Sequence, residues 1–294
     1  HLITTNVEQP AVLNTMNYLE SQGFEVTYLP VNKVGQVTPQ QLKKALRADT
    51  ILVSVMYANN ETGVIFPIEE IGEILADHQA TFHTDAVQVY GKIPLNPKAA
   101  NIDLLSISAH KINGPKGVGF LYQKEGVKLA KILHGGSQEE KRRAGTENLV
   151  GIVGMASAID FLTEEQQQIN WEVYQQFHTY LLERLNQEGI QFEVNGDVEH
   201  HLPHILNLRF FGVPSNLLLM HLDLQGIAIS TGSACSAGDV EPSHVLEAMY
   251  GKDHQSLKES IRISFGYRNT QDEVVMLTDT LIATVKRLKK DSSE

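Results

Sequence analysis

The sequence predicts an α/β fold: a large domain with a mostly parallel sheet flanked by helices, then a smaller α+β C-terminal domain. Three observations carry this. Strand-like and helix-like segments alternate through the first half, and strands separated by helices of ten or more residues form parallel βαβ units. Residues 51–57 are apolar without alternation, as in a strand buried on both faces. After about Gly145 the alternation gives way to long helices and scattered strands. The large domain is assigned to residues 1–166 and the small one to residues 167–294.

The elements follow in order. His1-Leu2-Ile3-Thr4 already has a strand pattern, and residues 24–29 read as the next strand. Thr38-Pro39 opens a helix through Leu42, Ala45 and Leu46, with Thr as N-cap and Pro at the first helical position. Beyond the strand at 51–57, Pro67 opens a helix carrying Ile68, Ile71 and Leu75 at helical spacing. Strands are expected at 80–84, 103–107 and 118–122. Residues 147–162 read as one helix and 164–188 as a longer amphipathic one, with Trp171, Tyr174, Phe177 and Leu181 on one face. Strands at 192–194 and 205–210, a helix over 215–225, and strands at Ile227 and 261–265 follow. A last helix, 272–288, has Val275, Leu277, Leu281 and Val285 as its core stripe.

Composition narrows the function. A chain of 294 residues can bury a full core in two domains. A single cysteine excludes an intrachain disulfide and suits a reducing, cytoplasmic compartment. The net charge of −11 argues against direct nucleic-acid binding, and the basic runs at 141–143 and 286–290 read as solvated surface. The longest apolar run, 51–58, is far too short to span a bilayer, so no membrane partner is expected.

Four features carry chemistry. Cys235 lies in Ser230-Thr231-Gly232-Ser233-Ala234-Cys235-Ser236-Ala237-Gly238, between an apolar run and the helix-start signal Glu241-Pro242-Ser243. These neighbours are wrong for a core thiol and right for a loop held by a scaffold, which leaves a reactive thiol and a bland one both open. Asp85 ends the strand in Phe82-His83-Thr84-Asp85, where side chains face the crevice in which open α/β sheets bind ligands. Lys111 follows another strand in Ser106-Ile107-Ser108-Ala109-His110-Lys111. The run Gly114-Pro115-Lys116-Gly117-Val118-Gly119 permits a tight turn or close backbone approach. A lysine and an aspartate at neighbouring strand ends suit pyridoxal 5'-phosphate (PLP). The lysine would form the Schiff base, and the aspartate would keep the pyridine nitrogen protonated. Taken alone, the pair reads more readily as two surface residues.

The strings Asn59-Asn60-Glu61-Thr62-Gly63, His83-Thr84-Asp85-Ala86-Val87-Gln88, Ser108-Ala109-His110-Lys111 and the cysteine stretch 230–238 together resemble one family over essentially the whole chain. These are the cysteine desulfurases of the NifS/IscS type, in the class V aminotransferase superfamily of PLP fold type I. The run Gly232-Ser233-Ala234-Cys235, with Glu241-Pro242-Ser243 after it, resembles the longer-loop group and not the SufS-like one. The resemblance implies that Lys111 holds PLP and moves the substrate Cα proton. It implies that Asp85 pairs with the pyridine nitrogen, that Gln88 bonds the phenolic oxygen, and that Ser108 and His110 donate to the phosphate. Thr146, in Ala144-Gly145-Thr146, would reach the phosphate of a neighbouring subunit, which implies a homodimer. Asn60 and Arg262 would hold the substrate carboxylate, a task that suits the planar guanidinium fork. L-Cysteine would become L-alanine, leaving a persulfide on Cys235 for an acceptor protein, either an Fe–S scaffold or a tRNA thiolation enzyme.

Two departures stand out. Where the family carries a histidine stacked on the cofactor ring, Val7-Glu8-Gln9-Pro10-Ala11-Val12 places Gln9. Glutamine offers a smaller face and exchanges no proton near neutral pH, and neither His83 nor His134 is marked by the sequence as a replacement. Second, the family has a segment ahead of the position of His1 with a Gly-Ala-Thr-type loop that grips the phosphate at a helix N-terminus. Without it, residues 1–294 alone are expected to bind the cofactor weakly. The alternatives are a truncated, catalytically impaired paralogue, or another class V PLP enzyme such as an aminotransferase or selenocysteine lyase.

Overall fold

The structure, a computed structural model, describes residues 1–232 and 242–291. In chain order the elements are β1 (Leu2–Thr5), α1 (Pro10–Ser21), β2 (Val26–Leu29), α2 (Pro39–Ala45), β3 (Leu52–Ser54), α3 (Ile68–Leu75), β4 (Thr81–Asp85) and β5 (Leu104–Ser108). A 3₁₀ turn, Ala109–Ile112, leads to β6 (Gly119–Gln123). Then come α4 (Gln138–Lys141), α5 (Leu149–Asp160), α6 (Glu164–Gln187), β7 (Phe192–Val194), β8 (Ile205–Phe210), α7 (Ser215–Asp223), α8 (His244–Tyr250), α9 (Ser256–Glu259), β9 (Ser260–Ser264) and α10 (Gln271–Asp291).

The first sheet has strand order β2-β1-β3-β4-β5-β6. Its first five strands are parallel, and β6 runs antiparallel to β5. The order reverses between β1 and β3, which opens a crevice at the C-terminal strand ends. A second, three-stranded antiparallel sheet has the order β7-β8-β9. One apolar cluster packs the first sheet against α2 and α3, and it also takes in Val245, Leu246 and Met249 of α8. The other joins β8 and β9 to α6, α7 and α10. Among the described residues no helix is long and apolar enough to cross a membrane.

Local chemistry sets several boundaries. Thr38 caps α2 in a full capping box: its Oγ1 accepts the Gln41 N–H, and the Gln41 side chain accepts the Thr38 N–H. In α3 the expected Ile68, Ile71 and Leu75 form the buried face. Four expectations need correction. The strand at 51–57 is regular only over Leu52–Ser54. Beyond it Val55 and Tyr57 still donate to the carbonyls of His83 and Asp85 while the chain peels toward the Asn59 turn. No strand forms at Ile227; pairing there is a single bridge between Ser230 and Arg262. The α10 stripe begins at buried Val274, with Val275 only half-buried, because the helix packs on the 274-277-281-285-288 face. Helices α1, α4 and α9 lie where no helix was expected.

Candidate active site

Strands β3, β4 and β5 contribute to one cavity of about 590 Å³, a volume ordinary for a small-ligand site. Asp85, the last residue of β4, folds its carboxylate back so that Oδ1 accepts the Val87 N–H at 3.0 Å. Burial pushes the Asp85 carboxyl above its ordinary range, against the opposing pull of the Val87 N–H and the Lys111 charge. Lys111 stands on the 3₁₀ turn that ends β5, and Asn113 stops that turn in a left-handed conformation with φ of 63°. On the same turn Ser108 Oγ and His110 Nδ1 lie 2.7 Å apart. Burial first, then the charges of Lys111 and Lys116, lower the His110 pKa.

The opposite wall is Arg262 on β9. Its Nη1 donates to the Asn60 carbonyl at 3.0 Å and its Nη2 to Ser230 Oγ at 3.2 Å. Asn60 sits in a turn built by Asn59, whose Oδ1 accepts the N–H groups of Glu61 and Thr62 at 2.9 and 3.0 Å. Gln9 caps α1 by accepting the Ala11 N–H at 2.6 Å, which commits its amide oxygen to the helix and leaves the NH₂ for the cavity. Gln88 lines the cavity, as do Val12, Met16 and Leu19 on the face of α1.

The structure therefore gathers Lys111, Asp85, Gln88, Ser108, His110, Gln9, Asn60 and Arg262 around one space. Thr146 is exposed and does not line it. Cys235 lies outside the described residues. Gly232 and Pro242, the last and first described residues on either side of it, flank residues tied to the cavity: Ser230 by its pairing with Arg262, and Ser243 by a hydrogen bond to Glu61.

The sequence assigns no role to two residues here, His83 in the cavity wall and Glu8 beneath it. His83 is clamped between Ser54 Oγ at 2.8 Å and Ser106 Oγ at 2.9 Å, on strands either side of its own. Burial lowers its pKa to about 4, so the ring is neutral. The signal was present: His83 is two residues before Asp85 on one strand, and i, i+2 positions share a face. Glu8 is fully buried beneath the site. Its Oε1 accepts from Thr5 Oγ1 at 2.8 Å and from the Met56 N–H at 2.9 Å, whereas Oε2 has no hydrogen-bond partner. Burial, with a smaller push from Asp85, raises its pKa to about 8 despite those bonds.

This donor set fits PLP. A buried carboxylate faces an amine from the neighbouring strand, a hydroxyl–imidazole pair stands beside that amine, and a guanidinium closes the far side.

A lysine and an aspartate at the C-terminal ends of neighbouring strands in a mostly parallel sheet define a PLP-type transferase, and the profile of the family described as Aminotransferase class-V matches residues 1–277. The chain belongs to that family and, within it, to the cysteine desulfurases. The Bacillus subtilis (strain 168) relative designated IscS 1 is 55% identical over 288 residues, covering 98% of this chain and 76% of the relative. The cysteine desulfurase IscS of Methanosarcina thermophila is 46% identical over 296 residues, covering 99% of this chain and 72% of that protein. Among solved structures, a NifS-like protein superposes with a TM-score of 0.89 at 36% identity, covering 98% of this chain and 75% of that one.

Proposed function

We propose that the chain converts L-cysteine to L-alanine with PLP held between Asp85 and Lys111, and takes the sulfur on Cys235. The observation that carries this reading is the meeting of Lys111, Asp85 and Arg262 in one cavity, with both described ends of the Cys235 stretch tied to it.

PLP, when bound, supplies an electron sink for negative charge developing at the substrate Cα. Asp85 is the residue to hold the ring nitrogen protonated, and a bound cation there offsets the burial that raises its pKa. Lys111 holds the cofactor, then takes and returns the Cα proton. Ser108 and His110 would donate to the phosphate, Gln88 would bond the phenolic oxygen, and Gln9 would offer its amide NH₂ to the cofactor. Arg262 and Asn60 hold the substrate carboxylate and so fix which substrate bond faces Lys111.

The Cys235 thiolate attacks the substrate sulfur and forms an S–S bond. The Cβ–S bond breaks with its electron pair left on carbon, which a proton converts to the methyl group of alanine. The sum is enzyme thiol plus cysteine giving enzyme persulfide plus alanine, with no external oxidant. Acceptance of the persulfide sulfur by a partner protein, for Fe–S assembly or tRNA thiolation, completes the cycle. A cytoplasmic location suits a chain whose single thiol must stay reduced. We further propose a homodimer in which Thr146 serves the phosphate of the partner site; the exposed apolar residues of α5 and the preceding segment support it, Val150 and Ile132 being 85% and 88% exposed.

The test is Cys235→Ser. With L-cysteine the wild type gains about 32 Da on the peptide containing Cys235, one sulfur atom. The variant is expected to gain nothing there while its Cα proton exchange persists. Persulfide turnover surviving in the variant would overturn the assignment.

A further inference from the structure

The described residues flanking the Cys235 segment are tied to Arg262 on one side and, on the other, to Glu61, the neighbour of Asn60. At the leading end, Ser230 and Arg262 exchange two backbone hydrogen bonds of 3.1 and 2.7 Å, and Arg262 Nη2 donates to Ser230 Oγ. Arg262 Nη1 reaches the Asn60 carbonyl. At the trailing end, Ser243 Oγ donates to Glu61 Oε2 at 2.5 Å, and Glu61 follows Asn60 directly in the chain. A closed circuit results: Ser230, Arg262, Asn60, Glu61, Ser243.

Glu61 is built to hold still. It is completely buried. Its N–H is held by Asn59 Oδ1 at 2.9 Å, and its carbonyl accepts from Asn207 Nδ2 at 3.2 Å. Gly63 closes the turn at φ of +76°, and a Cβ there would stand 3.2 Å from Ile205 and from the Leu202 carbonyl. With both backbone groups bonded and the turn packed from outside, the carboxylate is a fixed post. A hydrogen bond to a carboxylate is stronger than a neutral one, and more so away from water. A second tie lies beside it: His244 Nε2 is 2.9 Å from the Glu8 carbonyl, and since a carbonyl only accepts, that nitrogen carries the proton.

We infer that Glu61 and Ser243 are positioning residues for sulfur transfer, fixing the trailing end of the Cys235 segment to the substrate-binding turn. The inference rests on the reading of Cys235 as the sulfur acceptor. Neither residue touches the reacting atoms. Their bond sets where the segment that carries the thiol leaves the site, relative to a substrate gripped by Asn60 and Arg262. Attack on the substrate sulfur demands close alignment, so a displacement of about 1 Å is enough to slow that step strongly. Removal of the Cα proton by Lys111 needs no part of the segment.

The experiment separates the two steps in the PLP-loaded enzyme. Solvent deuterium exchange at Cα of L-alanine, followed by NMR, reports Lys111 without Cys235. Persulfide appearance on Cys235 in a single turnover reports sulfur transfer, and iodoacetamide alkylation of the PLP-free protein reports the intrinsic reactivity of the thiol. Ser243→Ala is expected to slow persulfide formation about tenfold or more while exchange and alkylation stay within about twofold. Ser243→Thr, which keeps the hydroxyl, restores the rate. Ser243 also caps α8 through the Leu246 N–H at 3.0 Å, so Glu61→Gln, which leaves that cap intact, is run beside it and is expected to lose part of the rate. Exchange and persulfide formation falling together, or persulfide formation unchanged in both variants, overturns the inference. A wild type that forms no persulfide on Cys235 overturns the functional reading beneath it.

Discussion

Burial decides which groups at the site are charged. His83 is neutral because its pKa falls to about 4, and Glu8 is neutral at pH 7 because its pKa rises to about 8. Asp85, Lys111 and Arg262 are among the ionisable residues that line the cavity wall. Glu8 also makes stability depend on pH. The folded protein keeps the Glu8 proton up to about pH 8, and the unfolded chain gives it up near 4.5. Between those values the folded state binds more protons, so stability falls as pH rises through the window and levels off above it. The lowered histidines are neutral in the folded state but half protonated in the unfolded chain at pH 6.5, so they oppose this trend and the Glu8 share is read as the difference between wild type and Glu8→Gln. Relative to Glu8→Gln, wild type should lose up to about 1.4 kcal/mol of stability per pH unit between pH 6.5 and 8; urea midpoints of both proteins at the two pH values check it. Lys111, Asp85, Asn60 and Arg262 were legible because each follows or ends an apolar strand inside a distinctive string. Glu8 was not, because its burial comes from Thr5 and from Met56, which lies 48 residues away.

Among the elements, the β5–β6 hairpin shows what the glycine-rich run is for. Gly119 pairs with Ser108 across the ladder, and a Cβ on it would stand 2.2 Å from the Ile107 carbonyl. A Cβ on Gly114 would lie 3.0 Å from the Ala109 carbonyl. These glycines let the hairpin close on the turn that presents Lys111. Gly119→Ala is therefore expected to cost about 1–3 kcal/mol in urea unfolding and to weaken PLP uptake through a shifted Lys111, measured by titration of the cofactor. The direction of β6 was readable in principle: residues 109–118 are too few for a crossover helix, and only an antiparallel strand can follow so short a connection. Helices with a strong cap or a clear stripe, α2, α3 and α6, were read closely. Helix α1 was not, since glutamine is a weak N-cap signal and the one fully buried residue of the helix is Met16.

At the scale of the whole molecule, the first sheet supplies Asp85 and Lys111, and the second supplies Arg262. The parallel sheet was visible in the alternation of strands and helices. The joining of α8 to the first core was not, because nothing local in residues 244–250 says which sheet will cover them. The proposed homodimer is tested here. Val150→Glu, on the exposed face of α5, is expected to halve the mass seen by light scattering, and an unchanged mass would remove that face from the interface. The circuit at the site has a consequence in time. Arg262 meets Asn60 across 202 positions of chain, Ser243 meets Glu61 across 182, and His244 meets Glu8 across 236. Contacts so distant in sequence form late, and on the ribosome they wait for the C-terminal residues to emerge. The six strands of the first sheet end at Gln123, so the lysine and aspartate are in place while the substrate grip is still being synthesised. Capture of cofactor can thus precede competence for cysteine during each protein's birth, and a nascent chain stalled before Cys235 has no thiol with which to take up sulfur.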